Sequence, residues 1–178
     1  CSTRRDDCRF TPEIDRILPS RIALGDMRSV ASYTSLAFNA LLTGRVQTEH
    51  KSVLLSSPTL FHALRAIEGP TRPTTAYWSA QAAEVFERDD ARRFVDSWAS
   101  LETLLGYSVP DEDAVISLGL DQKLERYVSD HIGELASPYF LFTHFAGTHA
   151  PYYVNPSDAP FAPWGSEVSW GKLGELKN

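Results

Sequence analysis

Apolar residues recur at helical spacing in several stretches of the chain, and residues that start or stop helices bound each stretch. Ser, Thr or Pro precedes the apolar runs and Gly or Pro follows them, the order that helix caps favour. The pattern predicts a short helix over 11–17, a second helix over 33–43, a third over 57–69 and a long fourth helix over 111–135.

Other stretches lack the helical period and are rich in residues that favour strands. Residues 21–24 are a brief strand candidate, and residues 74–78 (TTAYW) read as a buried strand. Residues 139–145 (YFLFTHF) are almost uninterruptedly apolar, which predicts a central strand covered on both faces. Since helices and strands alternate, we expect an α/β fold with helices on both faces of a sheet. Residues 82–105 show no clear period, and their charge cluster indicates a solvated face.

Length and charge restrict the classes of protein. A chain of 178 residues suits one domain. Its 17 basic and 23 acidic residues sum to −6, which argues against a nucleic-acid partner. No stretch reaches the roughly 18 apolar residues of a membrane span, and the start is neither a signal peptide nor a methionine, so we expect a piece of a longer protein with any anchor outside it. Cys1 and Cys8 form either a disulfide or two free thiols.

The first candidate site lies at the head of the second helix, where Ser32, Tyr33, Thr34 and Ser35 bring hydroxyl groups together. Exposed amides and the helix dipole make such a position an anion site, and a hydroxyl there is placed to attack a phosphoryl or sulfuryl centre. The alternative is an ordinary capping cluster.

The second candidate site follows the strand predicted over 139–145. His144 and His149 leave its carboxyl end, the edge where ligands bind in open α/β sheets. His144 is either a ligand-facing histidine or a satisfied core histidine, and His149 is either functional or an ordinary loop residue. Two histidines separated by four residues are poor support for a metal site.

Short segments that fall into three ordered blocks, with fitting spacing, resemble the sulfatase branch of the alkaline phosphatase superfamily. They are TPEIDRI (11–17), TSLAF running into LTGR (34–38 and 42–45), PTL (58–60), AYW (76–78), PYFL (138–141) and HAPY (149–152). The likeness spans about residues 11–155 and leaves a loop-rich tail over 156–178. It implies an alkaline-phosphatase-like, mostly parallel sheet, here one incomplete domain over 1–178.

The resemblance also implies functional residues. Thr34 falls on the nucleophile, Arg45 on a residue that supports the nucleophile loop and binds substrate, and His149 on a contact to the substrate or leaving group. Sulfatases carry Cys or Ser where Thr34 stands, and Pro and Arg where Leu36 and Phe38 stand, so we expect no formylglycine. Threonine nucleophiles are typical of the superfamily's phosphoethanolamine and lipoteichoic-acid transferases, which act outside the cytoplasmic membrane.

The implied activity is a metal-dependent phosphoryl or sulfuryl ester hydrolase or transferase on a periplasmic or extracellular membrane face. Its substrate would be a phosphate or sulfate ester, attached to a lipid or a glycan. The cofactor would be Zn, Mn, Ca or Mg, with Thr34 as one ligand. The family's other ligands are a carboxylate pair upstream and an Asp-His pair downstream, which we expect outside this chain because no apolar strand precedes Asp6 and Asp7.

Two further hypotheses remain open. The domain could be catalytically inactive and bind an anionic ligand or partner without turnover, or it could be a sulfatase that works without formylglycine.

Overall fold

The structure is a computed structural model that describes residues 16, 19–20, 31, 33–45, 50–82, 91–108 and 119–147. Its helices are α1 (Thr34–Thr43), α2 (Lys51–Ser56), α3 (Leu60–Arg65), α4 (Leu101–Leu105) and α5 (Leu120–His131), and its strands are β1 (Thr74–Ser79), β2 (Ser97–Ala99) and β3 (Tyr139–His144). Single 3-10 turns occupy Ala91–Phe94 and Ile132–Glu134.

The described strands form one parallel sheet in the order β2-β1-β3. Thr74 pairs with Tyr139 at the start of β1 and β3, and Ser79 pairs with His144 at their ends. Because these strands run in one direction and end in register, the loops that leave them begin at the same edge of the sheet. We call this the carboxyl edge, and the opposite one the amino edge.

Alternate residues of β1 face two separate cores, as the two-residue repeat of a strand requires. Ala76 and Trp78 belong to the core that contains Leu120 and Leu124 of α5. Tyr77, on the other face, packs in a core that is built largely from α1, α3 and aromatic residues of β3. The buried members of this second core are Leu42, Phe61, Tyr77 and Val95. Helices therefore lie on both faces of the sheet, which confirms the coarse α/β prediction.

Helix ends follow local sequence where they are described. α1 ends at Gly44, whose φ of 68° lies in the left-handed region that glycine adopts without strain. α3 begins with a reciprocal capping box between Thr59 and His62. Arg16, within the helix predicted over 11–17, is helical.

Among the described strands, the middle position belongs to β1 and not to residues 139–145, for which the apolar run predicts a central strand. β1 is the middle strand of the described sheet, with six residues of which five are buried, whereas every residue of β3 is partly or fully exposed. Both strands are apolar, and composition alone does not separate a middle strand from its neighbour. Residues 82–105, which carried no clear pattern, contribute β2 and α4.

Several predictions lie outside the described residues. They are the strand over 21–24, the first part of the helix over 111–135, the fate of Cys1 and Cys8, and the tail over 156–178. None of the helices in the described ranges has the length and apolar character needed to cross a membrane.

Candidate functional site

The candidate site lies at the carboxyl edge, where Ser79 and His144 end neighbouring strands. His144 Nδ1 lies 3.2 Å from the Ser79 hydroxyl oxygen, which also accepts a 3.0 Å hydrogen bond from the Gln81 amide. Ser79 is fully buried and His144 is partly buried. His144 is therefore held within the edge by a side-chain partner, as expected of a satisfied histidine, and buried Ser79 is not open to a substrate.

Helix α1 is packed so that its first residue points toward this edge. The Phe38 ring lies 4.4 Å from the His144 ring, with an edge-on geometry, and 5.5 Å from the Phe142 ring. Leu42, one turn later, belongs to the core that contains Tyr77 and Val95, the latter preceding β2. The helix thus runs against the strand direction. Its amino terminus lies at the carboxyl edge.

Thr34 is the first residue of α1 and is partly buried. It precedes Phe38 by four residues, so it lies on the same helix face and about 6 Å further along the axis. Tyr33 is the N-cap residue, in extended backbone geometry, and no side-chain hydrogen bond caps the helix within the described part of the chain. Ser32 lies outside the described residues. The amino terminus of a helix is a position where backbone amides and the positive end of the dipole favour an anion.

Asp121 holds the loop that leaves β3, a contact that sequence reasoning missed. Its two carboxylate oxygens accept hydrogen bonds of 2.7 Å from the Ala146 amide and 2.9 Å from the Gly147 amide. A Cβ on Gly147 would lie 2.4 Å from the Asp121 Oδ2 atom, so only glycine fits this approach. An acidic residue in the first turn of a helix is common for dipole reasons, and nothing in the local sequence indicates a partner 25 residues away.

The structure does not bring all predicted site residues together. Arg45 follows the carboxyl end of α1 and is exposed. Its backbone is therefore separated from Thr34 by a ten-residue helix, which spans about 15 Å. A basic residue at that end also suits the negative end of the helix dipole. His149 lies outside the described residues, two positions beyond Gly147.

The metal that the resemblance implies finds no complete donor set in the described residues. Within those ranges no three or more His, Cys, Asp or Glu side chains converge on a position where a metal ion could bind. Thr34 supplies only one oxygen, and a divalent ion needs several ligands. We therefore derive no catalytic step through a metal.

The strongest described charge cluster lies at the amino edge, away from Thr34. Asp96 accepts hydrogen bonds from the guanidinium groups of Arg65 and Arg72, the latter at 3.0 Å. It also accepts from the Thr75 amide at 3.0 Å and the Thr75 hydroxyl at 3.1 Å. Burial raises the pKa of the Asp96 carboxyl, but hydrogen bonds from Thr75 and Arg72 outweigh it and hold that pKa below its ordinary value of 3.8.

Comparisons with known proteins leave the family open. No family model matches the chain, and neither a curated protein nor a solved structure matches it significantly. The resemblance to sulfatases therefore depends on the short segments in those three blocks alone.

Proposed function

We propose that the chain is part of a phosphoryl ester hydrolase or transferase of the sulfatase-like type, with Thr34 as its nucleophile. The observation that carries the proposal is the position of Thr34 at the start of a helix whose amino terminus lies at the carboxyl edge of a parallel sheet. Ligands of open α/β sheets bind at this edge. The alkaline-phosphatase-like arrangement of the sheet belongs to the same proposal.

The helix terminus supports the chemistry because charge develops on the transferred group. The first-turn amides and the positive end of the dipole stabilise an anion at that point. In the first step the Thr34 oxygen forms a bond to phosphorus, the bond to the leaving oxygen breaks, and the hydroxyl proton is passed to that oxygen. In the second step the oxygen of water or of an acceptor hydroxyl bonds to phosphorus, the bond between phosphorus and the Thr34 oxygen breaks, and the proton of the incoming group restores the Thr34 hydroxyl.

The other proposed contacts come from the resemblance. His149 would contact the substrate or the leaving group, and Arg45 would support the nucleophile loop. The divalent metal would be held mainly by residues outside this chain. The protein would act on a lipid- or glycan-linked ester outside the cytoplasmic membrane.

The test is covalent labelling by an aryl phosphodiester, bis(p-nitrophenyl) phosphate, with Zn²⁺, Mn²⁺, Mg²⁺ or Ca²⁺ added in turn. It should be made with the chain and with any longer protein that contains it. We expect p-nitrophenol release and an aryl-phosphate adduct on the peptide that contains Thr34, detected by mass spectrometry. Thr34→Ala should abolish the adduct and lower turnover by about 10³-fold or more, as loss of a nucleophile does.

A control substitution at the carboxyl end of α1 distinguishes loss of the nucleophile from loss of helix stability. Thr43 donates its hydroxyl proton to the Asn39 carbonyl at 2.6 Å and accepts a 3.3 Å hydrogen bond from the Arg45 backbone amide. Thr43→Ala therefore perturbs the end of α1 but leaves the Arg45 side chain and the proposed nucleophile in place. We expect this variant to keep the adduct. Undiminished turnover in Thr34→Ala would contradict the enzyme proposal.

The second candidate function is an anion-binding domain without turnover. It is favoured by the same α1 terminus, because amides bind an anion without any metal or nucleophile. Saturable binding of inorganic phosphate with no adduct on Thr34, in the same proteins, would support it. Faster hydrolysis of p-nitrophenyl sulfate than of the phosphate ester would instead favour a formylglycine-independent sulfatase.

A further inference from the structure

A cavity of about 250 Å³ lies at the amino edge, on the sheet face covered by α5. It is open to solvent and lies between the start of the sheet and the carboxyl end of α5. Its polar lining comes from Thr74, Asp96, Ser97, Tyr127, His131 and Glu134. At about 30 Å³ per water, its volume equals roughly eight water molecules, which limits a ligand to a small organic molecule.

Internal partners already engage part of this lining. The Asp96 carboxylate is bound by the guanidinium groups of Arg65 and Arg72, which lie outside the lining, and by Thr75, so its negative charge is not available to a ligand. The Ser97 hydroxyl oxygen accepts a 3.0 Å hydrogen bond from the Trp78 indole. The Asp96 and Ser97 side chains therefore have partners within the protein and do not depend on a ligand.

The orientation of His131 is determined by its neighbour. His131 Nδ1 lies 2.9 Å from the Tyr127 carbonyl oxygen, and its ring stacks on the Tyr127 ring at 4.0 Å. A carbonyl oxygen can only accept, so Nδ1 carries the proton and donates it. In the neutral ring Nε2 is then a hydrogen-bond acceptor.

Among the lining groups that remain, Glu134 supplies the one carboxylate, and His131 Nε2 and the Thr74 hydroxyl oxygen are further acceptors. Burial first, and then the charge of Glu134, raise the pKa of the Tyr127 phenol, so the phenol stays neutral. No Lys or Arg is among the residues that line the cavity. With Asp96 offset, the carboxylate of Glu134 is the main charge facing a ligand, beside His131 Nε2 and the hydroxyl oxygen of Thr74.

We propose that this cavity binds a small organic cation with a primary ammonium or guanidinium group. Glu134 pairs with the cation, His131 Nε2 and the Thr74 hydroxyl accept its N–H groups, and buried Trp78 and partly buried Leu135 contact its alkyl part. An anion is disfavoured because it would meet Glu134. The site lies at the opposite edge from Thr34, and the proposal does not depend on the chemistry of that residue.

The experiment is a titration of the full chain with butylammonium chloride, followed by NMR shifts of the His131 and Tyr127 ring protons. We expect saturable binding with a Kd of about 1 mM, a reasonable value for a ligand of so few atoms. The neutral analogue 1-butanol and the anionic analogue butyrate should bind at least about tenfold more weakly, since neither can pair with Glu134.

Two variants with the same chemical change complete the test. Glu134→Gln should weaken butylammonium binding about fivefold, which is the size of a partly exposed ion pair. Glu125→Gln, an exposed residue of α5 outside the lining, should leave the Kd unchanged. The proposal is overturned if the NMR shifts do not saturate with butylammonium or if 1-butanol binds equally well. It is also overturned if Glu134→Gln leaves the Kd for butylammonium unchanged while its thermal unfolding midpoint equals that of the unsubstituted chain.

Discussion

The two edges of the sheet use charge in opposite ways. At the amino edge, one carboxylate, Asp96, is bound by Arg65, Arg72 and Thr75, and its ionised form is stabilised by all of them. At the carboxyl edge lies the amino terminus of α1, which is the positive end of the helix dipole. The first arrangement is a completed network of ion pairs and hydrogen bonds, and the second is a helix terminus of the kind that favours a nearby anion.

The comparison teaches that a dense charge cluster is not by itself a functional site. Asp96 has a lowered pKa and two charged partners, yet Arg65 and Arg72 are sufficient to stabilise its carboxylate without a ligand. Ion-pair networks with a structural role perturb pKa values as active sites do. The carboxyl edge has few described charges, but it joins a helix terminus, a hydroxyl and an anchored loop, which are suitable parts for anion chemistry.

The largest effect on stability is expected from Asp96→Ala at the amino edge. The substitution removes the acceptor of two guanidinium groups and of the buried Thr75 amide, and leaves the Thr75 hydroxyl only a 3.4 Å hydrogen bond to the Phe94 carbonyl. It should lower the free energy of unfolding by about 3 kcal/mol. Urea unfolding of the full chain measures it. Asp130→Ala, an exposed position on α5, is the matched control and should change stability by no more than about 0.5 kcal/mol. Equal effects in the two variants would show that the network contributes little.

A smaller effect is expected at the anchored loop of the carboxyl edge. Asp121→Ala removes two hydrogen bonds to a carboxylate and should cost about 2 kcal/mol, whereas Gly147→Ala, which forces the loop away from Asp121, should cost about 1 kcal/mol. Because both changes break the same contact, the double variant should be little worse than Asp121→Ala. Gly133→Ala, whose added Cβ would meet no atom within 4 Å, is the control. Full additivity would mean that the two residues are not coupled.

The smallest predicted effect concerns the pH dependence of stability at the amino edge. The folded-state pKa of Asp96 lies below its ordinary value of 3.8, so the ionised carboxylate adds stability above about pH 4, and this contribution is lost as the pH falls through the folded-state pKa. Asp96→Asn cannot titrate at this position. The difference in unfolding free energy between the unsubstituted chain and Asp96→Asn should therefore become smaller as the pH falls from 5 to 2, as measured by urea unfolding at each pH. A constant difference would argue that the carboxylate is not stabilised by folding.

Local sequence determined the helix ends and the strand segments that were predicted most sharply. α1 was predicted over 33–43 and spans Thr34–Thr43, because hydroxyl residues and Gly44 mark its ends within a few residues of chain. The β1 segment was predicted over 74–78 and spans Thr74–Ser79. Both depend on signals that act over one or two turns.

Strand order and the candidate site contacts were decided by tertiary structure. Whether β1 or β3 lies between the other strands depends on pairing across 65 residues, and both segments are apolar. β2 has only three residues, which are too few to show the alternation of apolar and polar residues that predicts a strand.

By itself, the sequence determined an α/β chain, the position of α1 to within one residue and an apolar strand over 139–145 that the structure ends at His144. Only the tertiary structure decided that the Phe38 ring packs on His144, that Asp121 holds Gly147, and that Asp96 is shared by two arginines. The physical reason is range. Caps and strand periods depend on neighbours in the chain, whereas these contacts join residues 24 or more positions apart, which only packing of the two faces brings together.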